Sequence, residues 1–256
     1  MPPILDLAAQ LLPSYNTFSR PARSWADYRS CQDSPTTPLK TIAGSSGYKR
    51  KWWHESLVPP LVTPYPCTMS ITHGQLYHVY TRGNNRQRIF FSPQHYFYFI
   101  RKMQIQLVPV ADVLAWCLMP NHVHLLLQLK KNREPQEFST HYRVLLSSYS
   151  RGINKERGWS GSLFQQNSKF KPLDGRKGYP YICFHYIHQN PLRAGLVQEL
   201  TAWPYSSIQE YVGKRPFGIV QQQVAAELLG ISGEVEQFLQ ESALVIPEQW
   251  KGVLQA

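Results

Sequence analysis

The chain of 256 residues has only four cysteines, and their spacing pairs none of them. Cys31, Cys67, Cys117 and Cys183 form no C-x-x-C, which argues against a zinc knuckle and against a disulfide framework. A reducing, cytoplasmic compartment is expected. No apolar run reaches the roughly 18 to 20 residues that span a bilayer, so no membrane partner is expected. The first apolar patch, in MPPILDLAAQLL, has no basic residue before it and makes a poor secretory signal. Acidic residues are scarce as well. There are 16 Asp and Glu against 27 Lys and Arg, a formal net charge of +11 with a pI near 9.5. That imbalance suits a polyanionic partner, nucleic acid first. Fifteen Tyr and seven Trp lie among the basic residues, a mixture that suits stacking on unpaired bases, although most of these rings are expected in the core.

Regular patterning is missing from residues 1–68. Ten of the chain's 20 prolines fall there, and no period of 2 or 3.6 is sustained. The segment is expected to be extended or disordered, an extension ahead of a domain that starts at Met69. From there the pattern alternates. LYHVYTR (77–82 within it) reads as a strand ending in the turn-forming GNN. Residues 92–107 read as a helix, with Ser92 as N-cap and Pro93 at the first helical position. Residues 111–119 and 122–130 read as two strands joined by a tight turn at Pro120-Asn121. Residues 136–157 read as a basic amphipathic helix and 168–172 as a short strand. Residues 179–190 read as a helix stopped by Pro191. Two helix-like pieces occupy 219–256, so the expected division is a domain over 69–212 and a helical tail over 213–256. The order β-α-β-β-α-β-α predicts an α+β fold, a ferredoxin-like antiparallel sheet with helices on one side.

One strand carries an oddity. In AWCLMPNHVHLLLQLK, His122 and His124 interrupt an apolar run. Alternation puts them on one face, about 7 Å apart at a rise of ~3.3 Å per residue, while Val123 and Leu125 point the other way. Two imidazoles so spaced can hold one metal; the alternative is a pair of half-exposed histidines on an edge strand. In HYIHQNP, Tyr186 and Asn190 are i and i+4 and share a helical face. A tyrosine and a neutral amide oxygen there can meet a metal held by a neighbouring strand. Two His and one Asn leave open positions and little negative charge, which suits Mg²⁺ or Mn²⁺ that must still bind phosphate oxygens. The alternative for Tyr186 is a core tyrosine with its hydroxyl at the surface.

Taken together, MPNHVHLLL, YIHQNPLRAGLV, WPYSSIQEY and YTRGNNRQRIFF resemble the REP-associated tyrosine transposases. These are relatives of the IS200-like single-tyrosine transposases, of the class called HUH for its His-hydrophobic-His motif, here His122-Val123-His124. The resemblance covers about residues 70–212. It implies that Tyr186 is the nucleophile and that His122, His124 and Asn190 are metal ligands. Tyr149, in SSYSRGIN, competes for the role but has Ile153 rather than a polar residue four positions on.

The resemblance further implies a metal-dependent single-stranded DNA endonuclease and strand transferase. It would act on hairpin-forming, REP-like DNA with an unpaired flank through a 5′-phosphotyrosine, as a monomer or homodimer in a nucleoid-associated setting. Candidate DNA contacts are Arg82, Arg86 and Arg88 after the first strand. Arg143, Arg151, Lys155 and Arg157 lie on the middle helix, and Lys169, Lys171 and Arg193 are expected to border the site. Two other classes stay open: a hairpin-binding protein that does not cut, and a basic RNA-binding module with structural histidines.

Overall fold

The computed structural model describes residues 71–173, 178–244 and 246. The expectations for residues 1–68 lie outside the described residues. Strands β1 (Leu76–Arg82), β2 (Ala111–Met119), β3 (His122–Leu129) and β4 (Lys169–Pro172) form one sheet in the order β2-β3-β1-β4, antiparallel throughout. Helix α1 (Pro93–Gln106) follows β1, α2 (Pro135–Arg157) follows β3, and α3 (Tyr179–Arg193) follows β4. The β-α-β-β-α-β succession with this strand order is the ferredoxin-like layout expected from the pattern.

The helix starts obey local chemistry. Pro93 opens α1 after Ser92, and Pro135 opens α2, where Glu134 and Glu137 form a reciprocal capping box. Gly158 closes α2 in the left-handed conformation that an L side chain rarely adopts. One face of the sheet is apolar. Val79 of β1, Val123, Leu125 and Leu127 of β3 and Phe170 of β4 pack beneath Phe99 and Met103 of α1 and Tyr142, Leu145 and Tyr149 of α2. His95 and Glu156, 3.0 Å apart, tie the two helices together.

Helices α1 and α2 thus share one side, but α3 does not join them. Its Cys183, Phe184 and Ile187 pack with Cys117 and Met119 of β2 and Leu126 of β3, which point the opposite way. The expectation of helices on a single side is corrected: both faces are covered. The reason is compositional. Helix α3 is buried nearly all round from Cys183 to Pro191, so it needs a covering on each side. A β-bulge in β2, between Val113 and Ala115, helps by turning both Leu114 and Ala115 toward α3.

One boundary differs from the sequence pattern. Pro191 does not stop α3, which runs to Arg193. Proline at 191 removes the N–H that would bond the Ile187 carbonyl. The Asn190 side-chain amide instead donates to the Tyr186 carbonyl at 3.0 Å and lies 3.5 Å from the Ile187 carbonyl. Helix α4 (Ile208–Tyr211) and the tail helices α5 (Gln222–Leu229) and α6 (Val235–Ala243) pack on α3. Ile208, Ala225, Ile231 and Phe238 enter the α3 core. The buried Glu210 carboxylate accepts from Trp116 Nε1 at 3.0 Å and from the Ile219 N–H at 2.9 Å. Among the described residues no helix is long and apolar enough to cross a membrane.

Candidate active site

The face of the sheet under α3 is built by alternation. In β1 it takes every second residue, His78, Tyr80 and Arg82. In β3 it takes His122 and His124. The register sets Tyr80 opposite His124 and Arg82 opposite His122. On the other side of β1, Tyr80 pairs with Lys169 and His78 with Lys171. Three imidazoles and three cationic side chains therefore share one face. Strand β3 lies inside the sheet between β2 and β1, so the alternative of half-exposed histidines on an edge strand is overturned.

His122 is oriented by a chain of contacts. Its Nδ1 lies 2.6 Å from Asn121 Oδ1, and Asn121 Nδ2 donates to the Arg86 carbonyl at 3.1 Å. An amide oxygen only accepts, so His122 Nδ1 carries the proton and Nε2 keeps its lone pair. The Arg86 carbonyl is held in place by a tight loop in which Asn85 and Arg86 both have positive φ, 51° and 60°. Asparagine visits this region at modest cost; arginine does so less readily. Gly83 permits the loop, because a Cβ there would collide with the Gln87 carbonyl and the Ile89 side chain. The Gly83 N–H bonds the Asn121 carbonyl at 2.8 Å, which locks the loop to the histidine strand.

His124 is fully buried, and its Nδ1 lies 2.9 Å from Nε2 of His78, which is buried too. The two are diagonal neighbours across β1 and β3, where Cβ atoms stand close enough for rings to meet. His124 Nε2 and His78 Nδ1 have no hydrogen-bond partner among the described residues. When His124 Nδ1–H donates to His78, the buried Nε2 lone pair of His124 is left available. The His122 and His124 rings stand 4.8 Å apart, centroid to centroid. Burial lowers the pKa of His78 to about 3, with Lys171 adding to the effect. Burial, then Arg82, lowers His122 to about 4, and His124 falls well below its usual range for the same causes together with its His neighbours. All three are neutral near pH 7, the form in which an imidazole binds a metal. No group of three His, Cys, Asp or Glu side chains set for a metal occurs among the described residues. A set of two His and one Asn falls outside that description. Its fit rests on the unpartnered, buried His124 nitrogen and the fixed His122 tautomer.

Helix α3 brings Tyr186 over the pair. Its ring stands edge-on 6.0 Å from the His124 ring and 6.3 Å from that of His78. Asn190, one turn on, directs its amide N–H back to its own helix, which reserves Oδ1 as the acceptor. Burial raises the Tyr186 pKa, and the Arg193 guanidinium, 5.8 Å from the ring, opposes that rise. Tyr149 lies elsewhere. It is buried on the apolar face and its hydroxyl donates to the Ile89 carbonyl at 2.7 Å, with burial pushing its pKa far up. It thus stands across the sheet from His122 and His124.

The expected DNA contacts divide. Arg82, Lys169 and Lys171 lie on the histidine face and Arg193 beside Tyr186. Arg86 and Arg88 are exposed in the loop after β1. Arg143, Arg151, Lys155 and Arg157 are exposed on α2, which covers the other face, so they do not flank the histidines. Arg157 lies over the rings of Phe91 and Trp159 at 3.8 and 5.0 Å. Sequence reasoning missed His78 and Asn121. His78 shared the period-2 pattern with Tyr80 and Arg82, but only strand register reveals that it meets His124. Asn121 was legible only as a turn residue.

Several known proteins are similar to this chain. A family model described as IS200-like transposase matches residues 72–190. A Haemophilus influenzae protein named after the REP-associated tyrosine transposases is 26% identical over 111 residues, 40% of this chain and 61% of its own length. The REP-associated tyrosine transposase of Escherichia coli is 21% identical over 103 residues, again 40% of this chain and 58% of its own. The chain thus spans about three-fifths of these curated relatives. A solved REP-associated tyrosine transposase bound to a REP hairpin aligns with 68% of this chain and 90% of its own, at 18% identity and a TM-score of 0.45. Over residues 72–190, a little under half of its length, the chain is similar to the IS200-like transposases.

Proposed function

We propose that the protein cleaves and rejoins single-stranded, hairpin-forming DNA of the REP type, with Tyr186 as nucleophile. The observation that carries this reading is the Tyr186 ring 6.0 Å from His124, on a helix whose next turn offers Asn190. The phenol oxygen attacks a phosphorus, the bond from phosphorus to the 3′ oxygen breaks, and the proton leaves with the new 3′-OH. A 5′-phosphotyrosine results. The phosphodiester energy is kept in that bond, so a second 3′-OH can reverse the step and join strands.

His122, His124 and Asn190 are the residues to hold Mg²⁺ or Mn²⁺. When bound there, the ion would supply Lewis-acid polarisation of the scissile phosphate and stabilisation of developing charge. His78 and Asn121 act behind the ligands. Each fixes a tautomer through the nitrogen that faces away from the site, as outer partners of metal-binding histidines commonly do. Arg193 favours the phenolate at Tyr186. Arg82, Lys169 and Lys171 supply positive charge for the backbone of the strand. The catalytic unit runs over 69–212, with helices α5 and α6 buttressing α3.

The test is incubation of the protein with labelled REP-like hairpin oligonucleotides and Mg²⁺ or Mn²⁺, followed by a denaturing gel. A covalent protein–DNA adduct is expected with single-stranded hairpins that carry an unpaired flank. Equal cleavage of the same sequence as a full duplex would favour an ordinary duplex nuclease. Tight hairpin binding without an adduct would favour a non-cutting binder.

A further inference from the structure

Beyond the end of β1 the chain builds a second feature that the strand chemistry does not use. Asn84, Gln87, Asn154, Ser160, Ser162 and Trp159 line a cavity of about 220 Å³. Trp159 is 47% exposed, a large apolar ring left open to solvent. Behind it stand the Phe91 ring, edge-on at 5.5 Å, and the Arg157 guanidinium at 5.0 Å. The ring is therefore braced by its neighbours while nearly half of it stays available. Apart from Leu163, the rest of the lining is amides and hydroxyls. Asn84 and Asn154 each donate an amide N–H to a carbonyl of the 161–162 loop, at 2.5 and 2.8 Å. Those bonds hold both side chains in place and leave amide oxygens as acceptors.

We propose that this cavity is a subsite for one unpaired nucleobase of the DNA strand, stacked on Trp159 and edge-bonded by the amides of Asn84, Gln87 and Asn154. The inference rests on the proposed DNA function. Four observations select a base over other occupants. An exposed aromatic ring offers the π-face that every base can use. Amide side chains match the donors and acceptors of base edges. The surroundings are cationic and exposed, with Arg86, Arg88 and Lys155 close in sequence to the lining, which suits the adjoining phosphates. The cavity adjoins the end of β1: Arg82 is the register partner of His122, and Asn84 is only two residues further along, about 7 Å of extended chain. A flank that runs past the end of β1 can set one of its bases here. The same Gly83–Arg86 loop that fixes Asn121 supplies Asn84, so base capture and His122 orientation share one structural element.

The experiment is an abasic scan. Hairpin oligonucleotides carry a single abasic residue at each position of the unpaired flank in turn, and binding is measured for the wild-type protein, Trp159→Ala and Trp159→Phe. At one flank position the abasic change is expected to weaken wild-type binding by about 5- to 100-fold, the range of base–aromatic stacking. The same change should have no further effect in Trp159→Ala, and Trp159→Phe should keep part of the affinity. Covalent adduct formation on a saturating hairpin is expected to survive in both variants. If every flank position behaves alike in wild type and Trp159→Ala while hairpins are bound and cleaved, the subsite is wrong and the strand chemistry stands. If the wild-type protein neither binds nor cleaves hairpin DNA, both fall. A preference for the matching RNA flank would overturn the DNA assignment.

Discussion

The two faces of one four-stranded sheet have opposite uses. Toward α1 and α2 the strands present Val79, Val123, Leu125 and Leu127, a surface with nothing to offer but packing. Toward α3 the same strands present His78, Tyr80, Arg82, His122 and His124. Adjacent residues in the chain thus serve different ends: Val79 beside His78, Val123 between two histidines. Packing a polar face costs stability unless its groups are paired. Here the histidines stay neutral through burial, and each of the three has one nitrogen in a hydrogen bond.

The contrast is broken most sharply by two tyrosine changes. Tyr186→Phe on the α3 side is expected to abolish the covalent DNA adduct on a denaturing gel while hairpin affinity and melting stay close to wild type. Tyr149→Phe on the α2 side should keep the adduct and cost about 1–2 kcal/mol in denaturant unfolding, because the Ile89 carbonyl loses a buried donor. Reversed results would sink the assignment of faces.

Removing metal comes next. EDTA, or the double change His122→Ala/His124→Ala, should stop adduct formation and leave binding to a labelled hairpin in place. Full adduct yield under either condition would remove the metal from the scheme.

Neighbours on β1 give a finer comparison. His78→Ala is expected to weaken Mn²⁺ binding, followed by calorimetry, by about 10- to 100-fold through loss of its hold on His124. Val79→Ala should leave that affinity unchanged and lower stability by about 2 kcal/mol, since it opens a small cavity in the apolar core. Unchanged Mn²⁺ affinity in His78→Ala would make His78 a packing residue. Asn121→Ala should show a smaller loss, about tenfold, because His122 keeps its place in the strand and loses only its tautomer partner.

The smallest effect concerns acid. His185 of α3 is buried against Ser242 of α6, and burial lowers its pKa from 6.5 to about 4. Its folded-state pKa lies below its unfolded value, so unfolding takes up a proton between these limits. Stability is whole above pH 6.5 and falls as pH drops toward about 4. His185→Gln is expected to flatten the fall over that window in urea titrations. An unchanged slope would show that other groups govern it.

Much of this was written in the chain. Alternation and helix-start signals defined the six elements of the ferredoxin-like succession, and the two-residue spacing of His122 and His124 on an apolar strand marked the site. Local pattern sufficed because side-chain direction in a strand or helix follows from backbone geometry alone. It failed where the outcome depended on partners distant in sequence. Pro191 reads as a stop, yet the Asn190 amide and the packing of α3 carry the helix past it. The basic residues of α2 read as site neighbours, yet the topology puts that helix across the sheet. The pairing of β1 with β3 brings His78 to His124 over 46 residues, and the loop at Gly83 brings the Arg86 carbonyl to Asn121 over 35. Spacing within one segment could announce that two histidines share a face. Which groups hold them there, and which tyrosine stands above, was decided only by tertiary structure, because strand register and helix placement are properties of the whole core rather than of any one stretch.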